Sequence, residues 1–407
     1  MKILVLDLGR FNADKSSDVQ ETWHNHGAGM VATFARQKGI EVDYGGIKYM
    51  SGLDDLESIA KSYGVVAMSV MSSQYPQARA AAQFIKNINR KCRIIAGGIH
   101  ATVSPADFLS DENFDFTIQN EGEVSFVELM ENTEPTYVKL IPGKQVINLD
   151  ELPFLDREIY PQPLEKSVEL WKPGLCATII TARGCPHNCT FCQPAERLHF
   201  GSRIRRRSVK NVISEIGYIC RKYSPGFFVF YDDTFFYDFK WLWDFLLQYK
   251  KYCVPFIASA RADWICENIG LLSAFKKAGL EILSIGFESG SDRILSMTRK
   301  GTTVEKNLKA AGICGNLGIR VFANIMYGFP GETHSEQIAT HNMVKKIRSI
   351  SDAMISPAYF TPFPGSELGK MCELEGISLV DNTSYTRFGR DKIKGIDYDW
   401  LDKFIWT

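Results

Sequence analysis

Three cysteines define a chemistry by their type and spacing, in the run Thr181-Ala-Arg-Gly-Cys185-Pro-His-Asn-Cys189-Thr-Phe-Cys192. Thiolates are the usual protein ligands of iron–sulfur clusters. A CxxxCxxC run supplies three of them to a four-iron cube and leaves the fourth iron open for a cosubstrate. A closed site would more naturally use four. Zinc loops prefer a CxxC pair followed by a distant second pair. No second pair occurs here: Cys92, Cys176, Cys220, Cys253, Cys266, Cys314 and Cys372 all stand outside such pairs. The spacing therefore favours a reactive cluster over a zinc knuckle or three unrelated core cysteines.

The bulk numbers bound what can surround that run. A chain of 407 residues fits two or three domains, each large enough to bury its own core. Lysine plus arginine, 47, equals aspartate plus glutamate, 47, so no global field draws the chain to nucleic acid or an anionic membrane. A small-molecule or peptide substrate is the expectation. The unpaired cysteines, and an N-terminal stretch with neither a basic run nor a long apolar one, read as a reduced, cytoplasmic protein. No segment approaches the roughly 18 consecutive apolar residues of a membrane span.

The elements that must position the cysteines alternate. Apolar runs at Ile3–Leu6, Val65–Met71, Arg93–Gly98 and Phe114–Ile118 interleave with amphipathic stretches at Gly29–Lys38, Ala78–Ile88 and Val124–Met130. This βαβ rhythm predicts a doubly wound parallel, Rossmann-like sheet over 1–132, with its ligand beyond the carboxyl ends of the strands. Residues 133–171 mix proline, lysine and glutamate without periodicity and read as an ordered interdomain linker. Strands then recur at 177–183, 227–232, 255–260, 282–287, 320–327 and 353–360, separated by helices. Six such βα units predict a partial (β/α)6 barrel over 172–372, again with the site at the carboxyl ends. Residues 373–407 form a small appendage.

CxxxCxxC with Phe191 before its last cysteine resembles the signature of the radical S-adenosylmethionine (SAM) enzymes. Tyr231-Asp-Asp-Thr234, Ala260-Arg-Ala-Asp263, Gly286-Phe-Glu-Ser-Gly290, Lys300-Gly301, Tyr327-Gly-Phe-Pro-Gly-Glu332 and Pro362-Phe-Pro-Gly-Ser-Glu-Leu368 follow in the order of that family. Together with the N-terminal half they resemble its cobalamin-binding branch. The resemblance implies a 4Fe-4S cluster on Cys185, Cys189 and Cys192. It implies SAM held by Phe191 near the adenine, the backbone around Tyr231, Asp232 and Asp233, Arg261 at the carboxylate, Glu288 near the ribose and methionine moieties, and Tyr327 and Gly328 at the adenine. Structural pairing of Arg261 with Asp233 is the competing reading.

The same resemblance implies cobalamin on the small polar loops at the strand ends: Ser69, Ser72 and Ser73; Gly97, Gly98, His100, Ala101 and Thr102; Gly122 and Glu123. His100 is expected as a wall or amide contact. The DxHxxG motif that supplies a histidine to cobalt in other cobalamin proteins is missing. Thr22-Trp-His24-Asn-His-Gly27 keeps HxxG but has threonine for the orienting aspartate. Without that carboxylate the imidazole loses its supporting partner, so His24 is expected as a solvated loop residue.

The implied activity is methylation of an unactivated carbon through a 5′-deoxyadenosyl radical and methylcobalamin, fed by an external electron donor of flavodoxin or ferredoxin type. A cyclase or rearrangement enzyme without net methylation, and a non-catalytic cobalamin- or cluster-sensing module, are the alternatives. Arg205-Arg-Arg207 reads as a solvated charge run or an anion site. The aromatic stretch Phe227 to Trp243 reads mostly as core, with a substrate pocket as the other possibility.

Overall fold

Apolar and β-branched residues in runs of four or five, buried on both faces, form the strands of a parallel sheet. The computed structural model describes residues 2–8, 24–46, 53–132, 138–167, 174–193, 195–381, 385 and 390–405; Thr22, Thr133 and Trp171 lie outside them. The chain divides into two units, the first comprising Met1–Pro163, Gln193–Gly201 and Asn382–Tyr385 and the second the remainder.

In the first unit β1 (Ile3–Asp7), β2 (Val42–Gly46), β3 (Val65–Ser69), β4 (Arg93–Gly97), β5 (Phe116–Gln119) and β6 (Leu140–Pro142) line up in the order β2-β1-β3-β4-β5-β6. All five pairings are parallel. The order reverses between β1 and β3, which is the switch point where such sheets open a crevice at the carboxyl ends of their strands. One core lies on each face. Leu4, Leu6, Val66 and Met68 pack against Ala78, Ala82 and Ile85 of the helix Tyr75–Ile88; Ile3, Val5 and Ala67 pack with Ala28, Ala32 and Phe126. Val146, Leu149, Leu152, Leu155, Ile159 and Tyr160, from the stretch without periodicity, fill that second core.

The second unit contains β7 (Glu165–Ser167), β8 (Gly174–Ile179), a two-residue hairpin pairing β9 (Ala182–Arg183) with β10 (Arg205–Arg206), β11 (Phe227–Phe230), β12 (Phe256–Ala260), β13 (Leu280–Glu288), β14 (Arg320–Tyr327) and β15 (Ala353–Tyr359). The main sheet runs β15-β14-β13-β12-β11-β8-β7. Six strands are parallel, and β7 adds an antiparallel edge. That edge is tied in by buried Glu165, whose carboxylate accepts from Thr178 N at 2.9 Å and Thr178 Oγ1 at 2.6 Å.

Most of the aromatic stretch is core: six of its ten rings, Phe227, Phe228, Phe230, Phe235, Phe236 and Trp241, are buried. Phe230 meets Phe245 and Phe256 edge to face at 5.6 and 5.5 Å, and Trp241 stacks on Phe245. Such pairs favour edge-to-face or offset geometry because of the ring quadrupole. Tyr237, Phe239 and Trp243 face solvent instead. Tyr398 and Leu401 of the C-terminal helix Tyr398–Ile405 join the same core.

Two local features fix the strand ends that matter below. Gly290, after β13, lies so close to the helix His334–Ile350 that a Cβ there would sit 2.5 Å from Ala339 O and 2.6 Å from Thr340 Cα. At the end of β14, Gly328 has φ +78°, and its N–H donates to Glu332 Oε2 at 2.6 Å, closing the Gly328–Glu332 turn. Burial pushes the Glu332 carboxyl up to about 7, against the pull of the Gly328 and Phe329 N–H groups.

Both features predict stability effects. Gly290→Ala overpacks a backbone contact and is expected to destabilise by about 1–3 kcal/mol, read as a lowered Tm. Because the folded Glu332 carboxyl titrates above its ordinary value, the folded state keeps a proton that the unfolded chain has already released. The associated stability is present below the unfolded value of 4.5 and is lost as pH rises through about 7. Glu332→Gln is therefore expected to flatten the fall of Tm between pH 5 and 8, by up to about 3 kcal/mol across the window. An unchanged slope would contradict the assignment.

Candidate functional site

The cysteine loop leaves β8 and is anchored to the next strand by one buried carboxylate. Asp232, just beyond β11, accepts from Thr181 N at 2.6 Å, from Ala182 N at 3.0 Å and from Thr181 Oγ1. Burial raises its carboxyl to about 6 although these donors pull the other way. The Asp232 side chain therefore holds the loop. Its neighbour Asp233 does the opposite: it is accessible to solvent, no hydrogen bond or ion pair engages its carboxylate among the described residues, and desolvation by the surrounding protein raises its pKa. An accessible yet desolvated carboxylate lies in a concavity. Asp233 also acts electrostatically on Cys185 and Cys192.

The three thiols share that concavity. Cys192 is exposed, Cys185 half-buried and Cys189 buried. Enclosure by protein, then the charges of Asp233, Cys189 and Cys185, push Cys192 up to about 12; burial likewise raises Cys185, against an N–H donated by His187. Thiols that mutually oppose ionisation suit a cationic group that stabilises all three thiolates together. Among the described residues no three His, Cys, Asp or Glu side chains converge as a single ion requires. The donor set fits a larger, three-point group such as an iron–sulfur cube, with Cys192 and Asp233 on the open side.

The other barrel residues singled out in the sequence collect at the same carboxyl ends. The Tyr231 N–H donates to Ile179 O at 2.9 Å. Phe191 is half-buried, with Phe329 edge to face at 6.2 Å. Glu288 ends β13 at φ +64°, a conformation costly for a residue with a Cβ, and its Oε1 accepts from buried Lys300 Nζ at 2.8 Å. Arg261 does not pair with Asp233. Its Nε and Nη2 grip Asp263 at 3.0 and 3.1 Å, Nη2 also donates to Lys300 O, and Nη1 lies 4.0 Å from Cys189 Sγ. Tyr327 is buried, its carbonyl accepting from Phe360 N at 2.7 Å, which leaves Gly328 to turn the backbone. Lys300 and Asp263 lie within motifs read from the sequence but had no role there; only their contacts reveal them.

The arginine run is not solvated. Arg206 lies 4.5 Å over the Trp241 ring and donates to the Thr234 and Phe235 carbonyls. Arg207 pairs with buried Glu215 at 2.6 Å and donates to Ile180 O. Arg205 is buried in the hairpin. These guanidiniums brace the segment after the cysteine loop.

In the first unit the loops after β3, β4 and β5 converge beside the switch point. Ser73 is exposed and Ser69, Gly97, Gly98 and Gly122 are half-buried. Gly98 has φ +88°, and a Cβ on it would meet Val70 N at 2.8 Å, so the loop crossing itself demands glycine. Small residues at adjacent strand ends leave a low shelf on which a broad, flat group such as a corrin fits.

Ser72, His100, Ala101, Thr102 and Glu123 lie beneath that shelf, buried. Thr102 Oγ1 donates to Gly98 O at 2.9 Å and accepts from Asn120 N at 2.8 Å, tying two loops together. His100 has no exposed surface, so the expected wall contact gives way to a supporting role. Its Nδ1 is 3.1 Å from Ser72 Oγ and its Nε2 3.1 Å from Asp107 Oδ2, while Ser72 Oγ also accepts from Gln193 Nε2 at 2.9 Å. His24 is not solvated either: it is buried, stacked on Tyr160 at 3.8 Å, with Nε2 on Gln162 O at 2.9 Å. Both histidines are engaged by the protein.

Comparison with known proteins agrees with this geometry. The model of the Radical SAM superfamily matches residues 179–344, and that of the B12 binding domain matches residues 17–130. An uncharacterized methyltransferase of Pyrococcus horikoshii is 29% identical over 364 residues, covering 83% of this chain and 77% of that protein. An anaerobic magnesium-protoporphyrin IX monomethyl ester cyclase of Rubrivivax gelatinosus is 25% identical over 326 residues, covering 75% of this chain and 57% of that protein. The structure of the radical SAM methyltransferase TsrM from Kitasatospora setae, with cobalamin and a [4Fe-4S] cluster bound, superposes with a TM-score of 0.68 at 15% identity, covering 95% of this chain and 78% of that one. Residues 179–344, which include the cysteine loop, therefore form a radical SAM domain, and residues 17–130 a B12-binding domain.

Proposed function

We infer that this protein is a cobalamin-dependent radical SAM methyltransferase acting on an unactivated carbon of a small molecule or peptide. The observation that carries the reading is the combination in one chain of three thiols around an open, desolvated concavity with a separate small-residue shelf at a switch point. When bound, the cluster supplies an electron that cleaves SAM to a carbon radical, and cobalamin supplies a transferable methyl group.

The chain's own residues do the rest. Cys185, Cys189 and Cys192 hold three irons. Asp233 offers its unengaged carboxylate to the SAM amino group, with the backbone at Tyr231 beside it. Glu288 faces the ribose and methionine portion, while Phe191, Tyr327 and Gly328 line the adenine side. Arg261 is held by Asp263, so it serves the SAM carboxylate only through Nη1. Ser69, Ser73, Gly97 and Gly98 carry the corrin, and Ser72, His100, Thr102 and Glu123 support them from below.

Reduction requires an external donor, for which a flavodoxin or ferredoxin is the natural class. The balanced charge supports a neutral or peptide substrate over nucleic acid. Among the described residues no helix is long and apolar enough to cross a membrane, and the ten cysteines are free, which supports a reducing, cytoplasmic setting.

The products of SAM decide between methylation and the chemistry of the cyclase relative. Protein reconstituted anaerobically with iron, sulfide and hydroxocobalamin is expected to yield both 5′-deoxyadenosine and S-adenosylhomocysteine under reductant, by mass spectrometry. The Cys185→Ala/Cys189→Ala/Cys192→Ala variant is expected to yield no deoxyadenosine above background. Deoxyadenosine without S-adenosylhomocysteine would point to cyclisation or rearrangement; retained corrin with neither product would point to a binding module.

A further inference from the structure

Lys300 is a buried lysine beside the cysteine loop whose part in the chemistry is unassigned. Its ammonium donates to Glu288 Oε1 at 2.8 Å and lies 5.8 Å from the Phe191 ring centroid, while its backbone carbonyl accepts from Arg261 Nη2. Room for the pair comes from Gly286, where a Cβ would meet Glu288 Oε1 at 2.2 Å and Lys300 Nζ at 2.6 Å. The φ of +64° at Glu288 turns its carboxylate to that place. Such strain persists where the surroundings over-determine it.

Arg261 reaches the cysteines directly, and Lys300 acts on them through its charge. Asp263 occupies the Nε and Nη2 edge of Arg261, leaving Nη1 against Cys189 at 4.0 Å. Burial alone would lower the Lys300 pKa, but the charges of Glu288 and Cys189 outweigh it and hold the amine above its ordinary value. Lys300 also acts on Cys192, and Arg261 on Cys185. Two fixed cations therefore bear on the three thiols, Arg261 by contact with Cys189 and Lys300 through its field. A cluster gains negative charge on reduction, and a cation fixed nearby favours that state.

We propose that Lys300 is a positioning residue for the reduction step: its ammonium, fixed by Glu288 beside the Phe191 ring of the cysteine loop, acts with Arg261 to raise the potential at which the cluster accepts an electron. This rests on the assignment of Cys185, Cys189 and Cys192 as cluster ligands. The rival role, neutralising a buried Glu288 and nothing more, predicts no change in potential once the glutamate is neutral as well.

The test is an EPR-monitored redox titration of reconstituted, SAM-free protein, with iron and sulfide content measured on each sample. The variants are Lys300→Met, Lys300→Arg, Glu288→Gln and Lys300→Met/Glu288→Gln; the double variant leaves no unpaired buried charge, so its folding does not depend on the pair. With iron content at the wild-type level, Lys300→Met is expected to show a more negative potential than wild type, and the double variant a more negative one than Glu288→Gln. At a fixed poise the ratio of reduced to oxidised cluster should fall about tenfold in each comparison, while Lys300→Arg should stay near wild type. A fully loaded double variant with the potential of Glu288→Gln overturns the proposal alone. Wild-type protein that takes up no cluster overturns the ligand assignment, and the proposal with it.

Discussion

Everything at the catalytic face depends on how the cysteine loop is held, and one carboxylate holds it. Asp232 gathers three donors from two consecutive residues, Thr181 and Ala182, at the point where the chain leaves β8. A buried carboxylate is costly unless hydrogen-bonded, so the interaction is satisfied only when the loop starts in one place. From that point Gly184, at φ +93°, turns the backbone toward Cys185. The adjacent residue, Asp233, can then face the concavity because Asp232 faces the protein. Two neighbouring aspartates thus divide between structure and chemistry by the alternation of a strand end.

Electrostatic order around the thiols follows the same logic. Asp233 disfavours thiolates on the open side, while Arg261 and Lys300 favour negative charge at Cys189 on the closed side. Each cation is held by a carboxylate of its own, Asp263 or Glu288. The site is polarised across its width before any ligand arrives, which is how preorganised sites avoid reorganising during a reaction. In the first unit the comparable device is a set of hydrogen bonds: Thr102 joins two loops, and His100, between Ser72 and Asp107, fixes a serine.

Much of this was legible in the sequence because it rests on local signals. Short continuous apolar runs and the amphipathic stretches between them gave the βα order of both sheets, and CxxxCxxC gave the expected ligands. What was illegible depends on partners distant in the chain. Arg205-Arg-Arg207 looks solvated until Trp241 and Glu215 are brought against it. His24 looks like a loop residue until Tyr160, 136 positions on, stacks on it. The pairing of Arg261 with Asp263 rather than Asp233 turns on which way a strand-end side chain points, which spacing alone does not encode. Lys300 stood in a recognisable motif, yet its meaning lies in its distances to Glu288 and Phe191. The antiparallel edge β7 is three residues long, too short for a periodic signal.

The most direct test of the central claim is iron uptake by Asp232→Ala protein. If the Asp232 carboxylate sets the cysteine loop, the variant should keep its far-ultraviolet circular dichroism, and hence its sheets, yet lose most of the iron and sulfide that wild-type protein takes up on anaerobic reconstitution. Its residual cluster should be labile. A variant that loads a full 4Fe-4S cluster with wild-type EPR and stability would contradict the account and place the determinant of the loop elsewhere.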